Sequence, residues 1–223
     1  RNNWSPSAMV FFNIGENGSF RTFYFGNSVQ PSTSKLITVA DNSNPLSVSF
    51  GNPNLAPYFN HSIRGDYRYN NKKTYASVNA RWYASYNDNP IVNATWYTNG
   101  ISYTMPLNGP ANMSANLNMH VNLPIKSSGF TLMNMTRLSW SSSANYVGKD
   151  IQTSKYLKED GSLDYNLFFA DYDDICSKLV ENYTNSFGVT ERLAAKYRSD
   201  DLEVELSGRS RINSSNYTID DVK

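Results

Sequence analysis

Glu203 and Glu205 stand two residues apart in an alternating stretch, with Leu202, Val204 and Leu206 on one face and Glu203, Glu205 and Ser207 on the other. On an extended strand this spacing sets the carboxylates about 7 Å apart, where one could protonate a glycosidic oxygen while the other activates water. A plainer reading is a hydrated strand face whose charges are answered by Arg209 and Arg211, or by Arg192 and Lys196 on a neighbouring strand. The plainer reading is preferred, because no other reactive group accompanies the pair. There is no Gly-x-Ser-x-Gly elbow and no phosphate-binding loop. His61 and His120 are the only histidines. His120 lies between Asn118 and Asn122 on the polar side of an alternating run, so it reads as a wet-face side chain rather than a metal ligand. Asp171, Asp173 and Asp174 crowd together but lack the glycine and terminal glutamate of a calcium loop. Cys176 is the only cysteine, which excludes an intrachain disulfide and a cysteine-based zinc site. No catalytic residue, metal or cofactor is expected. Trp96, Tyr97 and Tyr103 are the candidate ligand-binding side chains, loop aromatics able to stack on sugar or siderophore rings; the alternative is that they pack a hairpin or sit in an interfacial girdle.

The elements that must position these residues are strands. Residues 111–123 place Ala111, Met113, Ala115, Leu117, Met119, Val121 and Leu123 on one face, and Asn112, Ser114, Asn116, Asn118, His120 and Asn122 on the other. The alternation is unbroken over a length that suits a membrane-crossing strand better than an ordinary globular one. Residues 74–86 repeat it, with Val78, Ala80 and Trp82 opposite Asn79 and Arg81. So do residues 59–69, with His61 and Ile63 opposite Arg64, Asp66 and Arg68, and residues 187–197, where Glu191 is a misfit on the apolar face. Residues 5–14, 20–29 and 130–142 are strand-like but less regular, since Met133 and Met135 share the face of Arg137. Arg64, Asp66, Arg68, Asn79, Arg81, Asn112, Asn116, His120, Glu203 and Glu205 are the candidate lumen-facing polar residues.

Short turns at residues 15–18, 70–73, 126–129 and 198–201 alternate with long connections at 31–57, 88–110 and 146–182. The second of these holds an Asn99-Gly100 hairpin signal between alternating runs. Tight turns at one end and long loops at the other are the plan of an outer-membrane barrel. The expectation is an all-β fold: an antiparallel up-and-down meander of about eight wall strands over residues 1–223, forming the wall of a transmembrane β-barrel, which the resemblance described below implies is a section of a large one. Neighbours in sequence should be neighbours in the sheet, with no parallel pairing.

Bulk composition agrees. Charged residues make up 17% of the chain and the net charge is +1, which argues against nucleic acid as a partner. Mean hydropathy is −0.54. Asn, Ser, Thr and Tyr replace the missing charge, a poor composition for helices. No run reaches the roughly 20 apolar residues of a membrane helix, so a membrane reading requires a barrel. The competing readings are a secreted soluble β-sandwich that binds carbohydrate and, behind it, a secreted β-rich hydrolase using Glu203 and Glu205.

The segment Gly51-Asn52-Pro53-Asn54-Leu55-Ala56-Pro57, preceded by Asn44-Pro45-Leu46-Ser47-Val48-Ser49-Phe50, resembles a signature of TonB-dependent outer-membrane receptors. The flanks Trp4-Ser5-Pro6-Ser7 and Gln30-Pro31-Ser32 resemble the large barrels of Bacteroidetes-type members; Tyr58 stands where the usual acidic residue would be. The resemblance implies a bacterial outer-membrane receptor that takes up a siderophore, glycan or peptide nutrient without making or breaking bonds. It implies as partners the TonB complex reached through a plug, the nutrient, outer-membrane lipid and a surface lipoprotein. The family's plug and its final aromatic-ended strand are not among these residues, so the chain reads as an internal section of the barrel.

Overall fold

The alternating segments all form strands in the computed structural model of the chain, which describes residues 4–39, 41–44, 46–126, 128–159 and 162–218. Pro45, ahead of the glycine signature, and Ser127, in one of the short turns, lie outside the described residues. In chain order the strands are β1 (Ser7–Ile14), β2 (Gly18–Val29), β3 (Asp41–Asn44), β4 (Ser47–Ser49), β5 (Tyr58–Asn70), β6 (Ser77–Asp88), β7 (Ile91–Thr98), β8 (Ile101–Asn108), β9 (Asn112–Pro124), β10 (Phe130–Gly148), β11 (Leu179–Arg198) and β12 (Glu203–Tyr217). Among the described residues three short helices, α1 (Thr33–Leu36), α2 (Tyr165–Ala170) and α3 (Tyr172–Ser177), and a 3-10 turn (Thr153–Tyr156) lie in the long connections.

Among the described residues eight strands form a wall. β1, β2, β5, β6, β9, β10, β11 and β12 pair antiparallel, each with its neighbour along the chain once the loop strands are set aside. Directly opposed residues in an antiparallel ladder share a face. The register aligns Val78, Ala80 and Trp82 with Val121, Met119 and Leu117, and Arg81 with Asn118. One apolar and one polar face therefore run across β5, β6 and β9, while at β1 and β2 Phe11, Phe23 and Phe25 stand on the polar side. At mid-height Gly65 lies opposite Trp82. A Cβ there would come within 2.3 Å of the indole ring and 2.5 Å of the Arg21 carbonyl oxygen, so glycine is what lets the indole lie flat against β5.

The four short turns gather at one end. The Asn70 amide donates to the Asn17 carbonyl (2.8 Å), and the Arg198 amide to the Gly129 carbonyl (2.9 Å). The three long connections meet at the other end and fold together into a cap. Its core includes Phe50, Trp96, Tyr103, Met105, Phe168 and Ile175. The Trp96 ring stacks between Tyr103 and Phe168, at 6.0 Å from each. β7 and β8 close on a two-residue turn with Asn99 at φ +53° and Gly100 at φ +80°, the positive pair that a hairpin twist requires.

Two expectations are corrected. The sheet is not wholly antiparallel: β7 pairs parallel with β10 through Ala94 and Thr95, opposite Tyr146 and Val147, and β4 pairs parallel with β8 over three residues. Both contacts belong to the cap; every wall pairing is antiparallel. β10 outruns β9 at the cap end, and the edge thus vacated accepts β7. The third long connection is also shorter than expected, because β10 continues to Gly148 and β11 begins at Leu179.

Candidate functional site

All ten candidate polar residues fall on one face of the wall. The pairing brings Asp66 opposite Arg81, Arg68 opposite Asn79, Asn79 opposite His120 and Asn87 opposite Asn112. Asn116 shares Tyr83 as a register partner with Arg64, and Glu203 and Glu205 oppose Arg198 and Lys196. Arg21 and Arg68 hold Asp66 between them at 2.7 and 3.0 Å. Arg64 lies over the Phe23 and Phe25 rings, 5.8 and 5.4 Å from their centroids. The two glutamates are each claimed by a cation: Glu203 by Lys196 at 2.5 Å and Glu205 by Arg192 at 2.8 Å. That is the cross-strand pairing the charge pattern suggests.

Register exposes what alternation alone does not. One register line across six adjacent strands reads Ser62, Ser85, Ser114, Ser141, Ser186 and Ser215. Hydroxyl bonds cross it between Ser85 and Ser114 (2.8 Å) and between Ser186 and Ser215 (3.0 Å). The next line toward the cap reads Asn27, Asn60, Asn87 and Asn112. Its amides form a chain, Asn60 donating to Asn87 and Asn87 to Asn112, each at 2.6 Å. The signal was in the sequence as scattered serines and asparagines, but finding it requires knowing which residues stand opposite each other.

β10 and β11 carry a local inversion. Met133 and Met135 sit on the polar face, while Asn134, Thr136 and Glu191 sit on the apolar one. Asn134 Nδ2 donates to one oxygen of Glu191, and Thr136 Oγ1 donates to the other at 2.7 Å. The misfit glutamate thus meets both its neighbours as hydrogen-bond donors.

In the cap, Trp96 and Tyr103 are 1% and 4% exposed, whereas Tyr97 is 72% exposed. Trp96 Nε1 donates to Thr153 Oγ1 at 2.8 Å. Trp96 and Tyr103 have no ring face left for a ligand, which corrects that expectation; they supply the cap's core because their side of the hairpin turns inward. Asn52 is fully buried. Its amide donates to the Pro106 carbonyl and to the Tyr172 hydroxyl, both at 3.0 Å, and its side-chain oxygen accepts from the Asn54 amide at 2.9 Å. The glycine signature therefore ties the first long connection to the second and third. Burial pushes the Tyr172 hydroxyl up to about 12 and raises the Cys176 thiol above its ordinary value. Asp171 is held below the ordinary carboxylate value, chiefly by its hydrogen bond from Lys155 (2.6 Å) and next by that from Tyr156 (3.1 Å). Asp174 takes Lys178 at 2.8 Å. Among the described residues no group of three or more His, Cys, Asp or Glu is placed to hold a metal ion.

A strand wall of this length, mainly apolar on one face and mainly polar on the other, is what a membrane barrel requires. Comparison with known families decides the matter: the sequence model of a family described as an outer membrane protein beta-barrel family matches residues 1–172. The chain belongs to that outer-membrane β-barrel family. Neither the curated proteins nor the solved structures contain a match. Membership places the protein in the bacterial outer membrane and replaces the soluble-sandwich alternative. β11 and β12 lie beyond the matched residues, yet they continue the barrel wall through uninterrupted ladders. No helix of the described residues is long and apolar enough to cross a membrane; a barrel crosses with strands.

Proposed function

We propose that this chain is part of the barrel of a TonB-dependent receptor that takes up a nutrient of siderophore, glycan or peptide type across the outer membrane. The observation that carries the reading is the Gly-Asn-Pro-Asn-Leu-Ala-Pro signature at residues 51–57, whose buried Asn52 ties the long connections into one cap. In this reading the apolar face meets lipid, and the polar face lines the lumen and touches a plug. A charge facing the bilayer midplane costs about 2–4 kcal/mol, while a lumen arginine stays hydrated. Energy reaches the receptor from the TonB complex through the plug. A surface lipoprotein would meet the protein at the cap end, where Tyr97 remains exposed for contact. No bond is made or broken, and no metal or cofactor takes part. Uptake of labelled nutrients by the native host tests this. Deleting the gene and inactivating TonB should abolish entry of the same solute. Entry that survives the loss of TonB would overturn the reading.

A further inference from the structure

We propose that the polar face carries a binding strip for a multiply anionic, hydroxyl-rich solute, set by Arg81, Arg137 and Arg211. The inference rests on the uptake reading above and names the class of solute taken. The three arginines occupy one register line, on β6, β10 and β12, with Asn118 and Thr190 between them. Alternate strands lie about 10 Å apart, so the three arginines leave the backbone at about that interval. All three are exposed, and among the described residues none forms an ion pair. The reason lies nearby. Asp66 is the only carboxylate on the line, and Arg21 and Arg68 already occupy it. Among the described residues the side-chain partner of Arg137 is neutral, the Asn118 oxygen at 2.8 Å.

Exposed guanidiniums in a row, none held in an ion pair among the described residues, suit carboxylates or phosphates, which they bind through paired hydrogen bonds. The path toward the cap has a different chemistry. The serine line crosses β9 four residues nearer the cap, at Ser114, and the asparagine line two further, at Asn112. Neither line holds a charge, and both offer hydroxyl and amide groups at every strand spacing. A solute entering from the cap end would exchange water for these neutral partners first and meet the cations deeper in. A solute combining many hydroxyls with repeated acid groups matches both zones.

The test uses the protein extracted from outer membranes in detergent, with trigalacturonate as the anionic probe and maltotriose as its neutral counterpart, measured calorimetrically. Trigalacturonate should bind, with affinity that falls as salt rises; maltotriose should bind at least roughly tenfold more weakly. R81Q/R137Q should lose roughly tenfold or more in trigalacturonate affinity and flatten its salt dependence. R81K/R137K should retain the salt dependence, and R211Q offers a single-site version if the double variant fails to assemble. Equal binding of the two sugars would overturn the proposal. So would trigalacturonate binding untouched by all three variants, which would assign the arginines to an acidic protein segment inside the lumen. The uptake experiment separates the two readings. TonB-dependent entry of a neutral solute, with no trigalacturonate binding, removes the strip and keeps the receptor. Trigalacturonate binding that depends on these arginines, without TonB-dependent entry, supports the strip and removes the receptor.

Discussion

Replacing Leu117 with arginine sets a charge in the middle of the apolar face. Leu117 lies near the centre of β9, opposite Trp82 on one side and Leu138 on the other. Arginine at the bilayer midplane costs about 2–4 kcal/mol, and losing the leucine's packing against those neighbours adds roughly 1–2 kcal/mol. Snorkelling recovers little, because the interface is several residues away in both directions. The expected total of about 3–6 kcal/mol is a large share of the 5–15 kcal/mol that holds an ordinary domain folded. Asn116→Asp, one residue away, adds a charge to the wet face opposite Tyr83 and Ser139 and should cost no more than about 0.5 kcal/mol. The two variants should therefore differ by at least about sixtyfold in the ratio of assembled to unassembled barrel. Gel mobility of unheated against heated outer-membrane extracts reads this ratio. Equal assembly of the two would show that Leu117 faces no lipid and would refute the assignment of faces.

Asn52→Ala leaves the Pro106 carbonyl, the Tyr172 hydroxyl and the Asn54 amide short of a partner in a buried site, and should loosen the cap by about 2–3 kcal/mol; limited proteolysis should then cut the long connections while the wall stays protected. Trp96→Ala should destabilise the cap by about 3–5 kcal/mol, whereas Tyr97→Ala should change it by under about 0.5 kcal/mol, measured by the same proteolysis. Tyr172 titrates near 12 in the folded cap against 10.0 ordinarily, so its contribution is complete below pH 10 and is lost as pH rises through 12; alkaline loosening of the cap, followed by tyrosinate absorbance, should be reduced in Tyr172→Phe.

The wall was legible in the sequence because lipid and water impose opposite demands on alternate residues. In residues 111–123 nothing interrupts the period, and the face assignments of Leu117 and His120 follow from it. Glu191, Met133 and Met135 were visible as breaks in the pattern, but not as an inversion answered by Asn134 and Thr136, since that answer comes from a strand more than 50 residues away. The cap was not legible. Its core draws Phe50, Trp96 and Phe168 from three connections of mixed short elements, where no single period applies. Trp96 and Tyr103 could be read equally as a stacking platform or as packing, because which side of a hairpin turns inward depends on what lands on it. The two parallel contacts were hidden for the same reason: each joins segments that only the cap brings together.

The reach of β10 past β9 has a mechanical consequence. The strand is anchored by β9 and β11 in its lower part, and its upper part carries β7 on the same main-chain ladder. Cap and wall therefore share one continuous mast rather than a hinge. A swing of the cap as a rigid lid would have to tear amide–carbonyl bonds at Ala94 and Thr95, so under the uptake proposed above any motion that admits a solute is directed away from this side of the rim. Amide hydrogen exchange along β7 should then be as slow as in the wall itself, and the faster-exchanging part of the rim will mark where the cap can open.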